Sequence, residues 1–390
     1  MKCLKFIALA AAAAIICAGC SPQEQVASSQ EVSVLKIIKP NYIPEFSNAV
    51  AEFNEANSDI QINFVDAPTA TAERHDLYVS ALSGRDESTD IYLINDEWTE
   101  EFAECGYIMP ITEELSIDNS QYIVDAQAMF SYNNDLYALP IGLDTDFIFY
   151  RSDLLDKAPE NWDEVVKESR SSDSQVPITL CLESADIKDI VYNLNQIMKS
   201  SGCTYAEALN FYREITDGYD MEDDIPIDCL STFKTGGALM MLGKGSYWHK
   251  LNGSTSAVRG DVGMMLMSNA GDADSMNYIC GYGLAINANS KNKEAAIRFL
   301  DFLNSKEQQQ QLSRDSSIMP VITELYEDEM ILDTNPYMSG LGDAIKNAET
   351  YKSIGVEGEA LKRSESALHR FFGKEETSNN TGKELSALLQ

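Results

Sequence analysis

The sequence predicts an α/β protein whose sheets are largely parallel and whose mass is divided between two lobes. The chain has 390 residues, and at about 150 residues per domain this length predicts two lobes with sizeable cores. From residue 32 onward, strand-like and helix-like patterns alternate, and that order implies right-handed βαβ units. With 44 % apolar and 23 % charged residues, the composition is that of an ordinary globular protein.

The first elements follow from the spacing of apolar residues. Alternating apolar side chains over 32–38 and 60–65 predict two strands, and a short apolar run over 90–94 predicts a third. A helix is predicted over 46–53, where apolar residues recur at helical spacing, and another over 71–83. In a parallel sheet, ligands bind beyond the carboxyl ends of the strands, so the polar residues after this third strand are candidates for a binding site.

Three later segments have local signatures of their own. Asn161 and Glu164 form a capping box, in which Asn161 caps a helix and Glu164 reaches back to the amide of Asn161. Residues 283–287 predict a strand, and a helix is predicted to begin after residue 290. Gln308–Gln311 are expected in the last turns of that helix, on a solvated face.

The first twenty residues have the pattern of an export signal. Two lysines precede an apolar run over 6–16, which is too short to span a membrane. The run ends in Cys17-Ala18-Gly19-Cys20, which resembles the bacterial lipobox, in which a diacylglycerol joins the thiol of the first mature residue. On this interpretation 1–19 is a lipoprotein signal peptide, Cys20 is lipidated and 20–31 is a flexible tether. Plain signal-peptidase cleavage is the alternative. No second segment is apolar enough to cross a membrane, so the lipid would be the only anchor.

The charge balance excludes one class of partner. The chain has 29 Lys and Arg residues against 62 Asp and Glu residues, a formal net charge of −33. Nucleic acids and anionic lipid surfaces bind to basic faces, so a nucleic-acid-binding role is excluded.

The cysteines and histidines predict neither a disulfide framework nor a metal site. Of the eight cysteines, Cys3 and Cys17 would leave with the signal and Cys20 would be lipidated. The remaining five are odd in number and widely spaced, so they are expected to be mostly small buried hydrophobic residues. These are Cys105, Cys181, Cys203, Cys229 and Cys280. No C-x-x-C pair occurs and the three histidines are scattered, so no metal or other cofactor is predicted.

Several segments occur in an order and spacing that are specific only when taken together. They are Asp90–Tyr92 with Trp98, Leu136–Pro140 with Phe149–Leu155, Pro159–Glu164, Phe233–Met240 and Gly281–Phe302. In this order the chain resembles extracellular solute-binding protein family 1 of ATP-binding-cassette (ABC) importers, particularly its maltose/trehalose branch. The chain departs from the family pattern at 348–351, where relatives often carry Arg-Pro, and at Tyr282, where tryptophan is common.

The resemblance implies a two-lobe, periplasmic-binding-protein-like fold of type II. Each lobe would be a mostly parallel sheet flanked by helices, and hinge crossings near 140–144, 277–283 and 321–340 would join the lobes. The first lobe would comprise 32–140 plus 281–325, and the second 141–280 plus 326–390.

The implied function is that of an extracytoplasmic lipoprotein of the cell membrane. It would capture a neutral sugar or oligosaccharide by hinge closure and deliver it to the permease subunits of an ABC importer. The protein would act as a monomer and would not be an enzyme.

The candidate ligand-binding residues are of two chemical kinds. Aromatic planes cover the apolar faces of a sugar, and carboxylates and amides bond to its hydroxyls. The candidates are Asn95, Asp96 and Trp98 at a strand end, Tyr247 and Trp248 after a glycine-containing turn, Tyr282 in the second crossing, and Asp144. Asp144 matches a family carboxylate that bonds to sugar hydroxyls. The alternative for the aromatic residues is that they belong to the core.

Two other functions stay open at this point. The acidic charge, together with Asp96 and Asp144, would also suit a cationic solute such as a polyamine. An exported glycoside hydrolase with two carboxylates is the third hypothesis. The acidic cluster at 217–224 lacks the spacing of a calcium loop and is predicted to be a solvated loop. Residues 237–244 lack the spacing of a phosphate-binding loop.

Overall fold

The computed structural model describes residues 32–389, apart from 124–125, 171–175, 177, 183–186, 217–227, 270–271, 277 and 351–357. The signal peptide, lipidated cysteine and tether predicted over 1–31 lie outside the described residues, as does the acidic cluster at 217–224. Within the part of the chain that is described, no helix is both long enough and apolar enough to cross a membrane.

Strands and helices alternate over most of the chain. The strands are β1 (Ser33–Pro40), β2 (Ile60–Ala67), β3 (Ile91–Asn95), β4 (Ser131–Tyr132), β5 (Asp135–Leu136), β6 (Ala138–Asp144), β7 (Asp146–Arg151), β8 (Ile178–Cys181), β9 (Ala238–Lys244), β10 (Val262–Leu266), β11 (Ser268–Asn269), β12 (Asp272–Met276), β13 (Tyr278–Ile286) and β14 (Glu349–Thr350). The helices are α1 (Ser47–Ala56), α2 (Thr71–Ser83), α3 (Thr99–Glu104), α4 (Ala126–Met129), α5 (Trp162–Ser169), α6 (Ile187–Ser201), α7 (Tyr205–Thr216), α8 (Cys229–Lys234), α9 (Trp248–Leu251), α10 (Lys293–Leu303), α11 (Lys306–Ser316), α12 (Glu329–Thr334), α13 (Leu341–Ala344), α14 (Gly358–Phe372) and α15 (Ser378–Leu388).

The first sheet has six strands and contains the elements predicted from apolar spacing. Its order is β14-β13-β3-β1-β2, and β6 also pairs with β13. Strand β1 is parallel to both β2 and β3, as predicted. Helices α1 and α2 form at the predicted places, and α2 has the predicted bounds. Because β1 and β3 are parallel, their carboxyl ends lie at the same edge of the sheet.

The second sheet has four strands in the order β10-β7-β9-β8. Strands β8 and β9 are parallel, whereas β7 is antiparallel to both β9 and β10. Only Thr145 separates the end of β6 in the first sheet from the start of β7 in the second. The chain returns to the first sheet at β13. Near the C-terminus, α14 packs against α6 and α15 packs against α7.

One pair of the cysteines is joined, a point that the sequence left open. Cys181 at the end of β8 forms a disulfide with Cys229 at the start of α8, and their Cα atoms are 5.7 Å apart. The pairing arises because β8 lies beside β9 and α8 directly precedes β9, which a sequence separation of 48 does not reveal. Cys105 is exposed and Cys203 half-buried, and Cys280 is buried as predicted.

The glutamine run also differs from its prediction. It lies in α11, a separate helix that begins after Ser305, whose side chain accepts from the Gln308 amide. The Gln308 side chain donates to Glu52 at 2.9 Å, and that of Gln309 donates to the Leu303 carbonyl at 2.9 Å. Both side chains are buried because α11 packs against α1, α10 and α12. The side-chain NH2 groups of both residues therefore exchange solvent for hydrogen-bond partners inside the protein.

The capping box is confirmed in one of its two bonds. Asn161 Oδ1 accepts from the Glu164 amide at 3.0 Å, and α5 begins at Trp162. The Glu164 carboxylate reaches back to the amide of Glu160 at 3.0 Å instead of that of Asn161. Either bond satisfies an amide at the start of the helix.

Candidate functional site

The candidate site is built on the ends of strands from both sheets. In the first sheet, Tyr42 follows the end of β1, and the short 3-10 turn Asp96–Trp98 follows the end of β3. In the second sheet, a similar turn, Gly245–Tyr247, follows the end of β9. The side chains of Tyr42 and Tyr247 meet, which places these two sheet edges opposite each other.

Asp144 is a fully buried carboxylate held by backbone amides. Its Oδ1 accepts from the Thr145 amide at 2.9 Å, and both of its oxygens lie 3.3 Å from the Ser246 amide. Its Oδ2 also accepts from the Tyr282 hydroxyl at 3.4 Å. The close approach of this turn favours glycine at 245, since a Cβ there would lie 2.9 Å from Phe147 Cε2 and 3.1 Å from Asp144 Oδ1.

Burial raises the pKa of Asp144 to about 6. Withdrawal from water disfavours the ionised carboxylate, and the neighbouring charge of Asp146 adds to this effect. Lys244 and the contact with Ser246 act in the opposite direction and lower the pKa. At neutral pH the carboxylate is therefore ionised but poorly solvated, which makes it a strong hydrogen-bond acceptor.

Three tyrosines connect the carboxylate to the opposite lobe. The hydroxyls of Tyr282 and Tyr42 lie 3.2 Å apart, and the ring of Tyr42 meets that of Tyr247 edge-on, with the ring centroids 5.4 Å apart. Burial raises the pKa of Tyr42 and of Tyr282, so both phenols are neutral hydroxyl donors. We call Tyr42, Arg74, Asp144, Tyr247 and Tyr282 the inter-lobe cluster.

Arg74 belongs to this cluster although the sequence analysis did not select it. Its side chain on α2 is fully buried, and it donates to the carbonyls of Pro68 at 3.1 Å and Thr69 at 2.7 Å. A third, longer bond of 3.4 Å joins Nη2 to Asn95 Oδ1. Among the described residues, Arg74 forms no ion pair and its Nε has no hydrogen-bond partner. The site therefore contains a fixed positive charge.

A sequence signal for Arg74 existed. The buried residues of α2 are Arg74, Tyr78 and Leu82, which recur every four residues and form the buried stripe of the helix. An arginine on such a stripe must find partners inside the protein. Its guanidinium carbon lies 5.8 Å from the ring centroid of Tyr42 and 5.3 Å from that of Trp98.

The predicted residues after β3 lie beside the cluster, but their polar groups are used internally. Asn95 binds Arg74, and Asp96 Oδ1 accepts from the Gly281 amide at 2.8 Å. Trp98 is only 3 % exposed and packs against Arg74 and Tyr78. In this arrangement the Trp98 ring packs against the guanidinium group of Arg74 and is buried with it.

Trp248 lies at the edge of the site and is half-buried. Its ring centroid lies 5.8 Å from that of Tyr337, which also packs edge-on against Phe147 at 5.5 Å. The Tyr337 hydroxyl donates to the Ser317 carbonyl at 2.6 Å. Tyr337 was not among the candidates, because no local pattern in that segment indicates an approach to Asp144. Burial raises the pKa of Tyr337, and the nearby charge of Asp144 adds to this effect.

The chemistry of the site is that of non-covalent binding. It offers neutral phenols, one carboxylate, one guanidinium and several aromatic rings. Among the described residues there is no group of three His, Cys, Asp or Glu side chains that could hold a metal ion.

Two α/β lobes with such a cluster between them define a binding protein of the type II periplasmic class. The bacterial extracellular solute-binding protein family matches residues 39–310, and the chain belongs to this family. Its members are extracytoplasmic substrate-binding proteins of ABC transporters and not enzymes. The glycoside hydrolase hypothesis is therefore excluded.

Individual relatives are distant in sequence but similar in structure. The maltotriose-binding protein of Pyrococcus abyssi is 23 % identical over 351 residues, which cover 84 % of this chain and 74 % of that protein. The maltose-bound MalE3 of T. maritima has a TM-score of 0.74 at 20 % identity and covers 92 % of this chain and 99 % of its own. The GacH receptor of Streptomyces glaucescens has a TM-score of 0.70 at 19 % identity and covers 92 % of this chain and 98 % of its own.

Proposed function

We propose that this protein is the lipid-anchored solute-binding subunit of an ABC importer and that it captures a neutral sugar or oligosaccharide between its lobes. The observation that carries the proposal is the inter-lobe cluster, in which Tyr42, Tyr282 and Asp144 at the edge of the first sheet meet Tyr247, which follows β9 of the second. A ligand held there would touch both lobes. The permease would then recognise the closed form of a monomeric protein at the extracytoplasmic face of the cell membrane.

The groups in the cluster suit a polyhydroxylated ligand. The Asp144 carboxylate accepts hydroxyl hydrogens, and the phenols of Tyr42 and Tyr282 can both donate and accept. The rings of Tyr247 and Trp248 offer planes for the C–H faces of a sugar ring. The names of the related maltotriose-binding and maltose-bound proteins support the same class of ligand.

Arg74 argues against the alternative, a cationic solute such as a polyamine. The guanidinium is buried among the cluster tyrosines and forms no ion pair within the described part of the chain. A cation in the same site would be attracted by Asp144 but repelled by the like charge of Arg74, and in a region of low dielectric that repulsion is strong. A neutral sugar avoids this repulsion and can use the unpartnered Nε as a donor.

The lobe assignment is part of the proposal. We infer that 32–140 plus 281–325 form the first lobe and that 141–280 plus 326–390 form the second. The short passage at Thr145 between β6 and β7 supports a hinge there. A ligand would shift the equilibrium between the open and closed forms only by the difference in its affinity for the two forms. Contact with both lobes is therefore essential.

Calorimetric titration of the full chain tests the proposal. Maltose and maltotriose are compared with spermidine, each at low and high salt. We expect sugar binding with little dependence on salt, because a neutral ligand is not screened. Spermidine binding that weakens steeply with salt, with no sugar binding, would establish the cationic alternative. The Arg74→Gln variant is the control for charge: it should weaken sugar binding and, by removing the like charge, lessen the exclusion of spermidine.

A further inference from the structure

A hydrogen bond outside the inter-lobe cluster joins the two lobes directly. The Tyr192 hydroxyl donates to Glu97 Oε2 at 2.6 Å. Glu97 lies in the turn that follows β3 in the first sheet, and Tyr192 lies on α6, which packs against α7 and α14 on the side of the second sheet. The two residues are 95 positions apart in sequence, so the packing of the two lobes against each other brings them together.

The environment makes this bond sensitive to opening. Glu97 is 7 % exposed, and Tyr192 is half-buried. A carboxylate that accepts a phenol hydrogen forms a charge-assisted bond, which is stronger than a bond between neutral groups. When the lobes separate, both groups return to water. Without the phenol hydroxyl, closure would bury the carboxylate with one hydrogen bond fewer.

We propose that Glu97 and Tyr192 act as a latch that stabilises the closed form, and that the latch scales the affinity for every ligand by the same factor. The proposal rests on the proposed function in assuming that the closed form is the one that holds ligand. Helix α6 contributes no residue to the inter-lobe cluster, so the latch acts on the equilibrium between open and closed forms. Apparent affinity is the intrinsic affinity multiplied by the closed fraction.

The first experiment measures opening without ligand. Hydrogen exchange of the full chain is compared for the wild type and Tyr192→Phe, at the turns Asp96–Trp98 and Gly245–Tyr247, which face each other across the site. Loss of a bond to a charged group should speed exchange there by about tenfold or more. The matched control is Tyr205→Phe, because Tyr205 donates to Asn195 at 2.8 Å and joins α7 to α6 within one lobe.

The outcomes of this experiment are distinct. Faster exchange at both turns in Tyr192→Phe but not in Tyr205→Phe supports the latch. Equal exchange in the two variants, or no change in Tyr192→Phe, overturns it. If Tyr192→Phe folds poorly, Glu97→Gln is measured in the same way, since a neutral amide weakens the bond from the other partner.

The second experiment tests uniform scaling with maltose and maltotriose as probes. Tyr192→Phe should weaken the binding of both sugars by one common factor, which matches the change in exchange. In a Glu97→Gln background, the same substitution should have a much smaller effect. Weaker binding of one sugar alone would mean that Tyr192 contacts the ligand directly and would overturn the latch. If neither sugar binds the wild type, the proposed function fails, while the exchange measurement still decides the latch.

Discussion

The Tyr282 hydroxyl donates to the Asp144 carboxylate at 3.4 Å, although the two residues are 138 positions apart in sequence. Strands β6 and β13 are antiparallel neighbours, with Cys280 paired to Asp144, so the phenol two residues along β13 reaches the carboxylate. Tyr282 also lies 3.2 Å from Tyr42 through its hydroxyl. The protonation of Asp144 is therefore linked to the packing of the whole inter-lobe cluster.

The first prediction concerns Asp144 and the pH dependence of stability. Burial raises its pKa from 3.8 to about 6, so the folded protein favours the protonated carboxyl group. The stability that this group contributes is fully present below pH 3.8 and is lost as the pH rises through 6. Two pKa units correspond to roughly 3 kcal/mol as an upper value. Asp144→Asn should therefore gain stability relative to the wild type between pH 4 and pH 7. Urea unfolding at each pH measures the difference, and a constant difference would contradict the burial of an ionised carboxylate.

The second prediction concerns His249 and has the opposite sign. Burial lowers the pKa of His249 from 6.5 to about 4, and the nearby charges of Lys250 and Lys39 add to this effect. Its Nδ1 bonds to the Ser246 carbonyl at 2.8 Å, while Nε2 has no partner among the described residues. The neutral imidazole of His249 therefore contributes stability that is fully present above pH 6.5 and is lost as the pH falls through 4.

His249→Gln should therefore lose less stability than the wild type between pH 6.5 and pH 4. The same urea series measures it, with His369→Gln as the control, because His369 is largely exposed on α14. A loss as steep as that of the wild type would show that His249 is solvated in the folded protein.

The third prediction concerns the aromatic planes of the proposed site. Tyr247→Ala and Trp248→Ala should each weaken sugar binding by about 1–3 kcal/mol, a typical loss when a stacking ring is removed. Tyr150→Ala is the control, because Tyr150 is a half-buried tyrosine on β7 of the second sheet that packs over Gly263. Titration calorimetry measures the affinities. Unchanged affinity in both site variants would assign Tyr247 and Trp248 to the core alone.

The fourth prediction concerns the disulfide between Cys181 and Cys229. A cross-link over a sequence separation of 48 restricts the unfolded chain and stabilises the fold by about 4 kcal/mol in the chain-entropy estimate. The paired substitution Cys181→Ala with Cys229→Ala should lower the free energy of unfolding, and a reducing agent should have no further effect on it. Cys105→Ser, at an exposed free cysteine, should behave as the wild type does. Identical unfolding curves with and without reductant in the wild type would contradict the cross-link.

The fifth prediction concerns the proposed lipid anchor. Cys20→Ala should abolish metabolic labelling with palmitate and change the partition of the protein into detergent, because the thiol is the site of lipid attachment in a lipobox. Cys17→Leu restores the residue that is usual three places before the lipidated cysteine, so it should keep its label. A labelled Cys20→Ala protein would show that the lipobox interpretation is wrong.

The amino-acid sequence was sufficient to predict the elements that depend on local spacing. Strands β1, β2 and β3 and helices α1 and α2 lie where apolar periodicity predicts them. The order of motifs also predicted the solute-binding fold. Placement of Asn95 and Asp96 at a sheet edge follows from the same reasoning, because parallel strands end on one side of a sheet.

The contacts between residues far apart in sequence depend on the packing of the folded protein. The disulfide, the buried glutamines of α11 and the approach of Tyr337 depend on how helices and strands pack, and residues far apart in sequence carry no shared local pattern. The same holds for Arg74 and for the bond between Glu97 and Tyr192. Local spacing fixes the side of a helix or strand on which a residue lies. The partner it finds there is set by the packing of the two lobes, which minimises exposed apolar surface and unpaired polar groups over the whole chain.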